Sequence, residues 1–419
     1  MTIQKDTYNF IESGIIFGTK TVQDLEKHDF SPDDLVLHRD AYDFMFEYFD
    51  TYEKFPNEAI LQTKFEDLDS SAKEIELDYA LAGFRKHSLT RKAIEAIKVK
   101  QRDILIDPEE AVSALIGDLS ALDVGRASEV VWYDDGQHDR LLAYQNRVSE
   151  RKRKVGIVGI PTPLKTLNVS GIGMLPGDLY SVFARPEVGK TWYLIKTAAI
   201  AMSQGYKVLF ITPEMPEDQI SLRLDVVVGR MQKLNFSLTN LISGNPINEK
   251  EYAGFLESNS ERNILICDHM ENGNINFPGI ASLARRHQPD LLIIDGMELI
   301  NVGRNEKYGA QWEKLGILYG QVKSLCTSMK ITGLVAHQAN RAAADVFRPP
   351  QAGEVSGGDA LIRFSDAALS MCLLEDEEHK RVVSFQKFRG KPYPATESVI
   401  INFDGDKGIF TETDGFKDR

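Results

Sequence analysis

Eight residues constrain this chain more than any others: Ala184-Arg185-Pro186-Glu187-Val188-Gly189-Lys190-Thr191. They follow the apolar run Leu179–Phe183 and open an apolar stretch that runs from Thr191 to Gln204. A strand, a tight loop and a helix in that order bring backbone N–H groups together at a helix start, where the helix dipole favours negative charge. A lysine followed by a hydroxyl residue at that point is the arrangement that cradles nucleotide phosphates. Lys190 is placed to reach the β- and γ-phosphates, and the Thr191 hydroxyl to ligate Mg²⁺. The nucleotide-binding segment is read as Ala184 through Trp192, with ATP and Mg²⁺ as the cofactors. The generic pattern begins with Gly, where this chain has Ala184.

Three further segments fit around that loop. Leu291-Leu292-Ile293-Ile294-Asp295 reads as a buried parallel strand with a carboxylate at its C-terminal tip. Ligand chemistry in open α/β sheets gathers at such tips, so Asp295 is the second candidate metal ligand. Phe210-Ile211-Thr212-Pro213-Glu214 also puts an acid just past a strand. Hydrolysis of a γ-phosphate needs a group that orients and deprotonates water, and Glu214 is the candidate base. Glu217 and Asp218 suit the first turn of the helix that follows. Gln338, at the end of the strand Thr332–His337, is placed to touch the γ-phosphate and report its loss.

The rest of the chain sets the frame. A length of 419 residues calls for more than one domain. Helical spacing of apolar residues dominates residues 1–125, as in Arg39–Tyr52, where Tyr42, Met45, Phe46 and Phe49 share a face, and in Ala72–Phe84. Residues 126–157 read as a linker containing an amphipathic helix, with Leu141, Leu142, Tyr144 and Val148 available to dock on a neighbouring subunit. From 158 to 419, short apolar runs alternate with helical stretches, which predicts a mostly parallel sheet covered on both faces. The runs after about residue 367 follow one another closely and predict an antiparallel extension. The expected fold class is therefore α/β, a P-loop ATPase domain preceded by an all-helical domain and a linker helix.

Composition excludes several classes. No apolar run is long enough to cross a bilayer, and the N-terminal stretch lacks a signal-peptide pattern. The three cysteines, Cys267, Cys326 and Cys372, are too few and too far apart for a disulfide framework or a zinc ribbon. A cytoplasmic protein, with no membrane partner, is expected. A net charge of −13 argues against a chain that coats duplex DNA with its whole surface, though not against one that grips nucleic acid inside a local channel.

On these residues, the stretch from about 156 to 415 resembles the DnaB-type replicative helicases, particularly those of phages. The segment Gly159-Ile160-Pro161-Thr162 with Leu167, followed by Gly173 and Leu175-Pro176-Gly177-Asp178-Leu179, is similar to the start of that RecA-like ATPase domain. The family's phosphate loop often reads Ala-Arg-Pro-x-x-Gly-Lys-Thr, so Ala184 matches it. The resemblance implies that Glu214 is the catalytic glutamate, Asp295 the metal-site aspartate and Gln338, with Asn340 and Arg341, the phosphate sensor. It implies that Lys387 and Arg389 reach the nucleotide of the next subunit, where an arginine stabilises the transferring phosphoryl group. It also implies ATP-driven translocation on single-stranded DNA with unwinding, a homo-oligomer that is a hexamer, and a primase and a helicase loader as partners. For a phage-encoded chain the compartment would be the bacterial host cytoplasm.

One segment departs from the family. A DNA-gripping loop that carries Arg-Glu-Ser-Gly in the family reads Gly353-Glu354-Val355-Ser356-Gly357-Gly358 here. Ser356, Gly357 and Gly358 can still offer backbone amides to phosphate, with Arg304, Lys307 and Arg363 as substitute cations. His337 also stands where the family has a small polar residue. Two other readings use the same ATP site: a RecA-like recombinase or regulatory ATPase without unwinding, and an assembly adaptor that binds ATP.

Overall fold

The computed structural model describes residues 5–21, 24–25, 30–106, 108–121, 137–153, 156–260, 263–270, 275–302, 311–340, 345–389 and 396–413. The chain divides into two compact units, Met1–Asp139 and Arg140–Arg419.

Helices of the first unit are α1 (Lys5–Gly18), α2 (Arg39–Tyr52), α3 (Glu58–Lys64), α4 (Leu77–Ile106) and α5 (Pro108–Ala121). The expected helix over Ala72–Phe84 is not continuous. Ala72 lies in a short 3-10 turn, Ser70–Glu74, and the long helix starts only at Leu77. Asp69 accepts from the Ser71 amide at the head of that turn, and the chain is extended at Ile75 where it ends. One small core joins Ile11 and Ile15 of α1 to Leu81 and Phe84 of α4, with Phe30 and Tyr42 packed against it. The buried carboxylate of Glu12 accepts from the amides of Val36, Leu37 and His38, each at 2.9 Å, and so satisfies the turn before α2.

The helix expected within the linker is α6, Gln137–Arg153. Leu141, Leu142 and Tyr144 are 55%, 48% and 63% exposed. Its far end is anchored within the second unit, where Glu150 accepts from the Tyr206 hydroxyl at 3.1 Å.

The second unit is built on nine strands: β1 (Leu179–Ala184), β2 (Val208–Ile211), β3 (Ile264–Cys267), β4 (Leu291–Asp295), β5 (Thr332–Gln338), β6 (Ala367–Leu374), β7 (Glu377–Phe388), β8 (Ser398–Asp404) and β9 (Ile409–Glu412). Their spatial order is β3-β2-β4-β5-β1-β6-β7-β8-β9. The first six in that order run parallel, and the last three continue the sheet antiparallel.

Between the strands lie α7 (Lys165–Asn168, before β1), α8 (Lys190–Ser203), α9 (Glu217–Met231), α10 (Leu238–Ser243), α11 (Glu249–Ser258), α12 (Phe277–His287), α13 (Gln311–Met329) and α14 (Gly358–Phe364). Alternate strand residues feed two cores. Tyr180, Val182, Phe210, Ile293 and Leu334 pack against Tyr193 and Leu194 of α8 and Leu224 of α9. Their neighbours Leu179, Phe183, Leu209, Ile294 and Val335 pack against Ile280 of α12, Leu318 and Val322 of α13 and Leu361 of α14. Burial on both faces is why these strands read as continuous apolar runs. Among the described residues, no helix is long and apolar enough to cross a membrane.

Candidate nucleotide site

The register of the sheet brings the expected segments to one edge. Ala184 pairs with Gln338 and Asp295 pairs with Ala336, while β2 lies on the other side of β4. All these strands are parallel, so the loop after β1, Asp295, Glu214 and Gln338 lie at the same, C-terminal end.

Ala184 is the last, fully buried residue of β1. Its φ is not positive, so the backbone makes no demand for glycine there. The demand falls instead on Gly189, with φ 117°, which turns the chain into α8. Lys190 and Thr191 are the first residues of that helix. The Lys190 ammonium donates to the carbonyls of Ala184 at 3.2 Å and Arg185 at 3.3 Å. Burial pushes its pKa down, while the charges of Glu298, Asp295 and Glu214 oppose that shift. Arg185 donates to the carbonyls of Ala339 (3.2 Å) and Asn340 (2.9 Å), which ties the loop to the exit of β5.

The Thr191 hydroxyl donates to Asp295 Oδ2 at 2.7 Å. Desolvation pushes the Asp295 carboxyl up to about 6, with the Thr191 hydrogen bond pulling it back and Glu214 adding to the rise. A cation at this point would relieve that cost. One hydroxyl and one carboxylate are hard oxygen donors, too few to enclose an ion. They fit Mg²⁺, which keeps waters and takes its remaining oxygens from phosphates.

Glu214 and Gln338 are both exposed at the strand tips. Pro186 and Glu187 are exposed on the loop, and the Val188 side chain is buried beneath it. Trp192 turns away from the loop mouth toward the β8 tip, edge-on to Phe403 at 6.2 Å, with the Arg223 guanidinium 5.8 Å above its ring.

Two residues of the site carry no motif. Arg381 of β7 donates from Nε to the Val188 carbonyl at 3.0 Å and lies 4.4 Å over the Phe403 ring. It thereby props the phosphate loop from the antiparallel part of the sheet. Its phase could have given it away, since Arg381, Val383 and Phe385 alternate inward along one strand. Glu298 lies three residues past Asp295 on a one-turn 3-10 segment, Met297–Leu299, and its Oε1 accepts from the Gln338 amide at 3.2 Å.

Lys387 and Arg389 are not part of this cluster. The Arg389 amide bonds to the Asp366 carbonyl, and the Asp366 amide to the Leu179 carbonyl, so Arg389 stands level with the start of β1. The phosphate loop leaves the other end of β1. Lys387 donates to the Ile362 carbonyl of its own chain.

The expected DNA loop lies beside the exit of β5. Ala339 forms an isolated bridge with Val355, and the Asn340 amide bonds to the Glu354 carbonyl. Gly357 has φ 68°, and a Cβ on Gly358 would stand 1.8 Å from the Ala352 carbonyl oxygen, so the turn into α14 requires glycine. Glu354, at the family's arginine position, is paired with Arg348. Gly357 and Gly358 line a groove of about 880 Å³ with Trp312, Ile317, Arg363 and Phe364. Arg304, Lys307 and Arg341 lie outside the described residues.

Comparison with known proteins gives the family. Residues 159–387 match the model of the DnaB-like helicase C terminal domain, which is more than half of the chain. The chain belongs to this family. Replicative DNA helicase DnaC of Bacillus subtilis is 27% identical over 206 residues, covering 47% of this chain and 43% of that protein. Replicative DNA helicase DnaB of Haemophilus influenzae is 27% identical over 143 residues, 33% of this chain and 29% of that one. The matched stretches thus span less than half of these DnaB-like relatives. Among solved structures, a DnaB-like replicative helicase described with its primase interactions aligns over 97% of this chain and 99% of its own, with a TM-score of 0.64 at 14% identity. A second solved structure, of an isolated ATPase domain, aligns over 66% of this chain and 98% of its own, with a TM-score of 0.55 at 17% identity. Both likenesses show the fold, and the first spans nearly the whole chain.

Proposed function

We propose that this chain is an ATP-hydrolysing motor that moves along single-stranded DNA and separates the duplex ahead of it, acting as a hexameric ring. The observation that carries the reading is the Thr191–Asp295 hydrogen bond beside Lys190, at the strand tips of a DnaB-like domain. Lys190 and the loop amides bind the triphosphate. Thr191 and Asp295 hold Mg²⁺, which when bound supplies charge to offset that developing on the phosphates. Glu214, exposed beside the site, takes the proton of the attacking water. Gln338 contacts the γ-phosphate.

Arg389 and Lys387 serve the neighbouring subunit's nucleotide, a reading supported by the position of Arg389 level with the start of β1, away from the phosphate loop. The exit of β5 is bridged at Ala339 to Val355, just before Ser356, Gly357 and Gly358, so a change at Gln338 has a short path to the backbone amides that face DNA. The exposed Leu141, Leu142 and Tyr144 of α6 dock on the neighbouring copy. The helical first unit is the surface for a primase and a loader, and the compartment is the cytoplasm.

The test is hydrolysis of ATP and separation of a forked duplex by the full chain, beside Lys190→Ala. Both activities are expected in the parent and neither in the variant. Hydrolysis without strand separation would favour a recombinase or regulatory ATPase. Binding of ATP without turnover would favour an assembly adaptor.

A further inference from the structure

Glu298 is largely buried beside the candidate nucleotide site, and one of its carboxylate oxygens lacks a partner. Its side chain is 17% exposed. Oε1 accepts the Gln338 amide at 3.2 Å. Oε2 is buried with no hydrogen-bond partner, 3.8 Å from His337 Nδ1, which is itself buried and without one. The Tyr319 ring lies 6.2 Å from the imidazole. A half-satisfied buried carboxylate is costly, and such groups call for an explanation. The charge environment supplies one. Of the three acids that raise the Lys190 pKa, Glu298 acts most strongly, ahead of Asp295 and Glu214. Lys190 in turn lowers the pKa of Glu298, against the larger rise from burial.

We propose that Glu298 is a positioning residue of the ATP site, holding the backbone of the sensing Gln338 with one carboxylate oxygen while the other lies unpaired beside His337. The tip of β5 is then held by one side chain on the turn after β4. The unpaired Oε2 and His337 Nδ1, 3.8 Å apart, are a short movement from meeting. Glu298 thus acts on the site through the backbone amide of Gln338. The assignment rests on the ATPase reading above.

The experiment measures ATP turnover by the full chain with single-stranded DNA, for the parent, Glu298→Ala and Glu298→Gln, together with ADP affinity from a fluorescent ADP analogue and the melting temperature. Removing a charge-assisted hydrogen bond should lower kcat of Glu298→Ala about ten- to a hundredfold, with KM for ATP and Kd for ADP within about threefold. Gln keeps an oxygen for the Gln338 amide and loses the charge, so Glu298→Gln should fall between, about three- to tenfold below the parent with KM unchanged. Should the alanine variant fail to fold, the glutamine variant decides by that same split. Turnover in both variants within about twofold of an active parent overturns the assignment alone. So does a fall of kcat, ADP affinity and melting temperature together with a rise of KM, which is what a purely architectural side chain would give. A parent no more active than Lys190→Ala overturns the ATPase reading, and this assignment with it.

Discussion

At the scale of single residues, His337 makes the sharpest prediction. It sits under the site with its side chain 1% exposed, and burial, with a smaller push from Lys190, lowers its pKa to about 4. The folded chain therefore refuses a proton that the unfolded chain accepts between the ordinary value of 6.5 and about 4. Stability from this group is intact above that window and is lost as pH falls through it, about 2 kcal/mol by pH 5 and about 3 kcal/mol in all. Asp295 runs the other way: its raised pKa, about 6, favours the folded state on acidification. Both parent and His337→Asn carry Asp295, so its effect cancels between them. Urea unfolding at pH 7 and pH 5 should show the parent losing about 2 kcal/mol more than the variant; parallel losses would remove the claim. The nucleotide residues are legible in the sequence because Lys190, Thr191 and Asp295 sit at strand and helix ends where spacing alone fixes their direction. Glu298 and Arg381 are not. Each works through a backbone group contributed by a distant segment, Gln338 for one and Val188 for the other, and no local pattern encodes such a pairing.

At the scale of elements, apolar periodicity locates β1, β4 and β6, α2 and α13 to the residue, because each is bounded by an abrupt change in polarity. It overruns where a turn cuts a periodic stretch. The stretch Ala72–Phe84 reads as one helix, yet the extended backbone at Ile75 separates Ala72 from Leu81 and Phe84. β8 and β9 carry a weaker signal, since both are interrupted by polar residues, Asn402 in β8 and Thr411 in β9. The helix α6 is legible as amphipathic, and its apolar face has found no cover within its own unit: Leu141, Leu142 and Tyr144 stay about half or more exposed. Three such side chains on a single helix are what an assembly contact needs. Replacing Leu141 and Tyr144 with Glu should therefore weaken self-association, with little change in melting of the dilute chain, because neither side chain contributes to a core. Sedimentation across a concentration series at fixed ATP reads this directly. Unchanged assembly in the double variant would assign α6 to a plain solvated linker.

At the scale of the whole molecule, the sheet itself decides whether one copy can complete its own active site. Arg389 stands level with Leu179, and the phosphate loop begins after Ala184. Five residues along a parallel strand are about 16 Å, and β6 and β7 add two interstrand spacings of about 4.8 Å each. No arginine side chain spans that gap and then turns around the sheet edge to a γ-phosphate. If Arg389 serves hydrolysis, it serves another copy's nucleotide. An arginine supplied this way is worth about 10³–10⁵ in rate, so Arg389→Ala should bind ATP normally and turn it over at least about a hundredfold more slowly. Lys190→Ala should fail for a different reason, at the loop. Co-expressing the two variants tests the geometry. Wherever a subunit with an intact loop borders one with an intact Arg389, a complete site is restored, so the mixed assembly should hydrolyse ATP although neither parent variant does. Sites built within one chain would give the opposite result, because no subunit in the mixture carries both groups, and the mixture would stay as inactive as its components.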